Sequence, residues 1–248
     1  MSNQDNISVC MATYNGMRYI KPQVESILAQ LADDDELVVV DDGSSDGTPD
    51  WVEGLGDSRI RVHRNEQNLG PVRTFERALG LARGVLVFFA DQDDVWMPDK
   101  VEAFREVLKR ERVAALVSDA TVVDGDGNEL LPSFFAHRRS GPGLVRNFVR
   151  NSYLGCCMVV RAEMKPMLLP FPPGVVQHDE WIGLACEVVG GVRFVPRPLI
   201  QYRRHGANAS AFSRLPLRIV ARNRTRMLIA LLGRLPRLLS ARRAWRTT

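Results

Sequence analysis

The sequence predicts an α/β protein: a mostly parallel central sheet flanked by helices. Three observations lead there. Short apolar runs alternate with helical patterns through the first hundred residues, and strands joined that way lie parallel, with helices covering both faces. Several of the runs end in polar or acidic clusters. The 248 residues contain no internal repeat and no Gly/Ser linker, so one main domain is the economical reading.

Residues 7–12 form a buried strand, followed by an Asn15-Gly16 turn and a helix with Ile20, Val24, Ile27, Leu28 and Leu31 on one face. Residues 36–40 give a second strand, stopped by Asp41-Asp42-Gly43-Ser44. A short helix near 48–54 leads to a strand over 59–63. Pro71 lacks the N–H that a first helical position leaves unused, so it opens a helix to about Ala82. Residues 85–90 are the most apolar strand. Beyond it the pattern loosens: strands over 113–118 and 121–123, a turn over 124–128, a strand over 153–160, and a helix over 178–189 with Trp181, Ile182 and Ala185 inward. Short strands follow over 192–195 and 199–203. The main domain is expected over 1–212, and a basic amphipathic helical tail over 213–248.

An apolar fraction of 45% and a charged fraction of 25% exclude disordered and fibrous classes. Cys10, Cys156, Cys157 and Cys186 show no CxxC spacing, which fits a reduced, cytosolic chain. The polar first six residues do not resemble a secretory signal. The apolar run over 227–232 is far short of the roughly 20 residues a membrane span needs. Charge is uneven. Residues 188–248 hold 14 arginines and no acid, leaving 19 basic groups against 29 acidic before them. An acidic body thus carries a basic tail.

In open α/β sheets the ligand crevice lies beyond the carboxyl ends of the strands. Thr13-Tyr14-Asn15, Asp41-Asp42 and Asp91-Gln92-Asp93-Asp94 therefore converge on one rim. Two carboxylates about 7 Å apart repel by roughly 2 kcal/mol at an effective dielectric near 20. Three of them ending an apolar strand suit a hard cation such as Mg²⁺ or Mn²⁺, which takes oxygen ligands from carboxylates and phosphates. The alternative is a solvated acidic turn, with Asp94 or Asp99 near the start of a helix beginning at Pro98. Residues 41–48 can accept a base N–H or a ribose hydroxyl, or are turn and cap residues only. Asp179, at a helix start, is either a favourable N-terminal charge or a general base. His205 is either structural or a ligand; Arg203 and Arg204 beside it suit a diphosphate.

The motifs Val9-Cys10-Met11-Ala12-Thr13-Tyr14-Asn15-Gly16, Val39-Val40-Asp41-Asp42-Gly43-Ser44-Ser45-Asp46-Gly47-Thr48, Asn68-Leu69-Gly70 and Phe89-Ala90-Asp91-Gln92-Asp93-Asp94-Val95-Trp96 occur in the order found in family 2 glycosyltransferases. The resemblance continues through Gly155-Cys156, His178-Asp179-Glu180-Trp181 and Tyr202-Arg203-Arg204-His205-Gly206, covering about residues 7–206. It implies the GT-A fold and an inverting transfer from a nucleotide-sugar. By position it implies Thr13, Tyr14, Asn15, Asp41 and Asp42 at the nucleotide, and Asp91 at ribose or metal. Asp93 would be the principal ligand of Mn²⁺ or Mg²⁺, His205 would lie near the metal or diphosphate, and Asp179 would be the catalytic base. Asp94, Trp96, Gly155, Cys156, His178, Glu180, Trp181, Arg203 and Arg204 would line the donor and acceptor sites. The forms Asp-Gln-Asp-Asp-Val-Trp, His-Asp-x-Trp and Tyr-Arg-x-His-Gly look most like bacterial rhamnosyltransferases of surface polysaccharide assembly, which implies dTDP-β-L-rhamnose as donor. UDP-hexose enzymes share much of the pattern. A sugar nucleotidyltransferase is a rival, but no Gly-rich, Lys-bearing phosphate loop follows the first strand. A non-enzymatic, membrane-docked nucleotide binder is another.

In the tail, Leu228, Leu231, Leu232, Leu235, Leu238 and Leu239 recur at helical spacing among arginines, with Pro236 expected to break or kink the helix. One reading is a helix lying on an anionic membrane, where each basic residue contributes about 1 kcal/mol. That suits an acceptor carried on a polyprenyl diphosphate at the inner face of the plasma membrane. The other is a helix packed on the acidic body. Nucleic acid is not expected, since no aromatic interleaving accompanies the arginines.

Overall fold

A computed structural model describes residues 6–206 and 216–247. The expected boundary between residues 212 and 213 lies outside the described residues. The first half follows the predicted alternation: β1 (Ile7–Thr13), α1 (Ile20–Leu28), β2 (Glu36–Asp41), α2 (Thr48–Glu53), β3 (Ile60–Arg64), α3 (Pro71–Leu81) and β4 (Leu86–Asp91). β1, β2 and β4 are buried over almost their whole length, as a parallel sheet covered on both faces requires. Pro71 occupies the first turn of α3. α1 turns Ile20, Gln23, Val24 and Ile27 inward.

The second half comprises β5 (Val95–Trp96), α4 (Lys100–Arg110), β6 (Ala115–Val123), β7 (Glu129–Leu131), α5 (Phe134–Arg138), α6 (Leu144–Val149), β8 (Met158–Arg161), α7 (Lys165–Leu168), α8 (His178–Val189), β9 (Val192–Arg203) and α9 (Leu217–Thr247). The strands join one sheet in the order β3-β2-β1-β4-β8-β6-β9-β5, with β7 on β6. The sheet is mixed rather than mostly parallel. β8 runs antiparallel to β4 and to β6, while β6 and β9 are parallel. An apolar run states that a strand is buried but not its direction, and β8 enters by loops instead of a covering helix.

Three strand expectations are corrected. The runs at 113–118 and 121–123 are one strand, β6. Its middle residue Asp119 stays in the sheet because its carboxylate accepts from Ala120 N, Phe135 N and Ser133 Oγ. Likewise 192–195 and 199–203 fuse into β9. The donor-less Pro196 and Pro198 fall where its ladder to β6 shifts register. Of 153–160, only Met158 to Val160 belongs to β8. Gly155–Cys157 forms a 3₁₀ turn, and the Cys156 carbonyl accepts a bond from Lys100 Nζ at 2.7 Å.

α9 continues through Pro236 without breaking. One face packs on the body, burying Met227, Ala230 and Leu238. Arg234 donates to the carbonyls of Leu169 and Pro170, and Trp245 lies against Gly190. The other face leaves Leu228, Ile229, Leu232 and Leu239 exposed. No helix among the described residues is long and apolar enough to cross a membrane. All four cysteines are buried thiols.

Candidate active site

The parallel register places three polar strand ends side by side. Thr13 pairs with Asp41, and Ala12 pairs with Asp91. The rim expected from the strand pattern is therefore a single edge of the molecule. Across it, Gln92 joins two loops: its Oε1 accepts from Tyr14 N at 2.8 Å, and its Nε2 donates to Tyr14 O at 3.0 Å.

On the nucleotide side the acids build the loops. Asp41 accepts from Thr13 Oγ1, Gly43 N, Ser44 N and Ser44 Oγ. Asp42 accepts from Asn65 Nδ2, Leu69 N and Gly70 N. Both carboxylates are almost fully buried, as is Thr13. Tyr14, at 49% exposure, and Asn15 are the open groups here. Asn15 has a left-handed φ of 47°, and its side chain accepts from Ser45 N at 2.9 Å.

At the acidic cluster, Asp93 Oδ2 lies 2.8 Å from His205 Nε2. His205 stacks on Tyr19 with ring centroids 4.6 Å apart. Asp94 is fully buried. Its Oδ1 accepts from Arg203 N at 2.9 Å, and its Oδ2 has no protein partner. Burial and the neighbouring Asp93 and Asp179 charges push Asp91 up to about 7. Burial, Asp93 and Asp91 raise Asp94 well above the usual carboxylate range. Ligand atoms of Asp91, Asp94 and Cys156 lie within 4.8 Å of one another. Crowded carboxylate oxygens, one of them buried without a partner, fit a hard divalent cation. The Cys156 thiol, raised by burial, remains protonated and is a poor ligand for such an ion. Asp91, Asp93 and Asp94 would hold the cation.

Lys100 was not singled out in the sequence. It is fully buried, 4.1 Å from the Trp96 ring centroid, and its charge opposes those of Asp94 and Asp91. Its signal was a lysine on the apolar face of a helix with Val101 and Phe104, a place where a charge needs a partner.

Asp179 stands in the first turn of α8, close enough for its charge to raise Asp91. Burial pushes Asp179 up to about 7, against the opposing influence of the polar groups of Asn151 and Gly155, and its Oδ1 accepts from Glu180 N at 2.6 Å. Asn151 donates to Gln177 at 3.2 Å; a loop asparagine carries no distinctive pattern in the sequence. His178 stacks on Phe75 at 4.0 Å, and burial lowers it to about 3, so it is a neutral ring near pH 7.

Several expected substrate contacts have almost no exposed surface. Trp181 is fully buried and donates to Leu168 O at 3.1 Å. Trp96 packs on Phe88. Glu180 is ion-paired with Arg224 of α9. Gly155 and Cys156 are buried in the 3₁₀ turn, where a Cβ on Gly155 would come within 2.6 Å of His178 Nε2. Arg203 donates to the carbonyls of Asp93, Asp124 and Gly125. Arg204 donates to Tyr202 Oη and, with His205 and His137, borders a cavity of about 490 Å³ over Val122, Leu130 and Leu131.

A parallel half with acid-lined strand ends, joined to a mixed half that brings the half-buried Asp179 carboxyl to the same rim, is an α/β fold of the GT-A type. The chain belongs to glycosyl transferase family 2, whose description its residues 8–164 match, more than half its length. It is 27% identical over 211 residues to an uncharacterised glycosyltransferase of Nostoc, covering 82% of this chain and 66% of that protein. It is 29% identical over 181 residues to the Escherichia coli protein WfgD, named a UDP-Glc:α-D-GlcNAc-diphosphoundecaprenol β-1,3-glucosyltransferase, covering 72% of this chain and 68% of that one. The crystal structure of Staphylococcus aureus TarS residues 1–349 with UDP-GlcNAc superposes with a TM-score of 0.72 at 20% identity, covering 92% of this chain and 66% of that chain. The chain thus spans about two thirds of the length of these three proteins.

Proposed function

We propose that this protein is an inverting, divalent-cation-dependent glycosyltransferase that moves a hexosyl unit from a nucleotide-sugar to a hydroxyl of a lipid-linked glycan in surface polysaccharide synthesis. The observation that carries this reading is Asp179, a carboxyl pushed up to about 7 beside the carboxylate cluster of Asp91. A base tuned near neutrality suits proton removal from an alcohol. Asp179 takes the acceptor's O–H proton as that oxygen bonds to the anomeric carbon. The bond to the nucleoside diphosphate breaks from the opposite face, and its electron pair leaves with the diphosphate. The Glu180 N–H, which donates to Asp179 Oδ1 at 2.6 Å, orients the base. Asp91, Asp93 and Asp94 would hold a divalent cation, which when bound would supply positive charge against the departing diphosphate.

Two donors are in view. The sequence motifs support dTDP-β-L-rhamnose. The names of WfgD and of the TarS complex, with UDP-Glc and UDP-GlcNAc, support a UDP-hexose, which we favour. A thermal-shift panel of nucleotide-sugars with Mn²⁺ tests this, because a ligand at about 100 times its Kd adds about 2.7 kcal/mol of stability. The UDP-hexoses are expected to give the largest upward shift, followed by donor consumption with a lipid-linked acceptor. A larger shift with dTDP-rhamnose reassigns the donor. Pyrophosphate release from a nucleoside triphosphate would mark a nucleotidyltransferase, and binding without consumption would mark a scaffold.

We further assign the exposed face of α9 to an anionic membrane, on the cytoplasmic side where nucleotide-sugars are available. Leu228, Ile229 and Leu232 are exposed there, with Arg218 and Arg222 exposed on the same helix. Apolar side chains flanked by cations are what an interfacial helix presents. Sedimentation with phosphatidylglycerol vesicles should fall at least about tenfold in the Leu228→Ser, Ile229→Ser, Leu232→Ser variant. Unchanged sedimentation removes the membrane role.

A further inference from the structure

We propose that α9 is also a strap for the base, with Arg224 as a positioning residue for Asp179; this rests on the assignment of Asp179 above. Three consecutive residues of the first turn of α8 are each held by a different part of the chain. His178 stacks on Phe75 of α3 and lies against Gly155. Asp179 lies against Gly155, and its Oδ1 accepts from the Glu180 N–H at 2.6 Å. Glu180, only 4% exposed, is ion-paired with Arg224 of α9.

The turn needs such ties. Its N-cap residue, Gln177, makes no side-chain capping bond. Within the turn the Glu180 N–H donates to Asp179 Oδ1 at 2.6 Å, but a start without an N-cap side chain frays more easily than a capped one. Successive helical residues point about 100° apart, so fixing the Glu180 carboxylate fixes the rotation of the turn and the direction of Asp179. A buried carboxylate deprived of its partner is strongly unfavourable. Losing Arg224 therefore drives Glu180, and the turn with it, toward water.

α9 is well seated to act as an anchor. Arg234 donates to the carbonyls of Leu169 and Pro170 at 3.0 and 2.5 Å. The side chain of Arg226 covers Gly174, with three carbons 3.6 Å from where a Cβ would stand. The same helix thus holds the loop leading into α8 and the first turn of α8 itself. A misplacement of about 1 Å at a reacting group can lower a rate about 10²-fold, so the contact bears on turnover and not only on stability.

The test is steady-state kinetics on full-length variants, with folding verified by circular dichroism at the assay temperature. Arg224→Met and Glu180→Gln are expected to lower kcat about tenfold or more, with donor KM within about twofold of wild type. The double variant should be no worse than either single change. Arg224→Lys, which keeps the cation, should recover at least half of the loss. A lower Tm with unchanged kcat, or a higher donor KM with unchanged kcat, overturns the strap. If Arg224→Met does not fold, Glu180→Gln, which preserves shape and hydrogen bonding, decides alone. Asp179→Asn measured in parallel separates the two ideas: if it retains turnover, the base assignment falls and the strap with it. If only the Arg224 and Glu180 variants keep full kcat, the strap alone falls.

Discussion

Asp179→Asn is expected to lower kcat by about 10³-fold, within the range a positioned general base contributes, while donor binding stays intact. Asparagine keeps the shape of the side chain and can still accept from the Glu180 N–H, so the loss isolates proton transfer. The pH dependence follows from the raised value. The carboxyl is protonated below about 7 and works as a base only when ionised, so wild-type kcat/KM, which follows the free enzyme, should fall tenfold per pH unit on the acid side and level off above about pH 8. The linkage runs in the opposite sense. Because the folded state holds this proton more tightly than the unfolded chain, the stabilisation is present below the unfolded carboxyl value and is lost as pH rises through about 7. The asparagine variant, free of that buried charge, should melt higher than wild type at about pH 8. A variant that keeps wild-type turnover removes Asp179 from the mechanism.

The second large effect is expected at Asp93. Its carboxylate meets His205 and belongs to the cluster that crowds Asp91 and Asp94. Asp93→Ala should lower kcat/KM by about 10²- to 10³-fold, the several kcal/mol that a cation supplies to a phosphate leaving group. It should also abolish the rise in melting temperature that Mn²⁺ gives the wild-type protein without substrate, a readout independent of catalysis. Arg203 binds Asp93 through the backbone carbonyl, so the substitution leaves that anchor in place. An unaltered Mn²⁺ response would move the cation to Asp91 and Asp94 alone.

The parallel half was legible because its signal is local: apolar strands with fixed polar ends, and a proline where α3 begins. The placement of Asp41 and Asp91 on one rim followed from strand direction alone. The other half depended on long-range pairing. Nothing near Met158 states that β8 runs against both β4 and β6. The helical pattern over 178–189 turns Trp181 inward, and it is fully buried with Arg234 of α9 near its ring; only the family resemblance had set it among the substrate contacts. Asp42 suggested a ligand contact for the same reason that it builds a loop, since a carboxylate at a strand end accepts N–H groups whoever supplies them. Lys100 and Asn151 act across 56 and 28 residues of chain, distances at which no motif speaks.

Gln92 has a consequence for how the rim moves. A primary amide can give and take a hydrogen bond at once, and this one closes a two-bond ring with the backbone of Tyr14 in the manner of a paired strand. The loop after β1 and the loop after β4 are thereby fastened into one lip, although 78 residues separate them in the chain. A carboxylate at position 92 would keep the accepting half of this clasp and set a second negative oxygen against the Tyr14 carbonyl. Within an otherwise acidic tetrad, the uncharged residue is the one that keeps the lip closed.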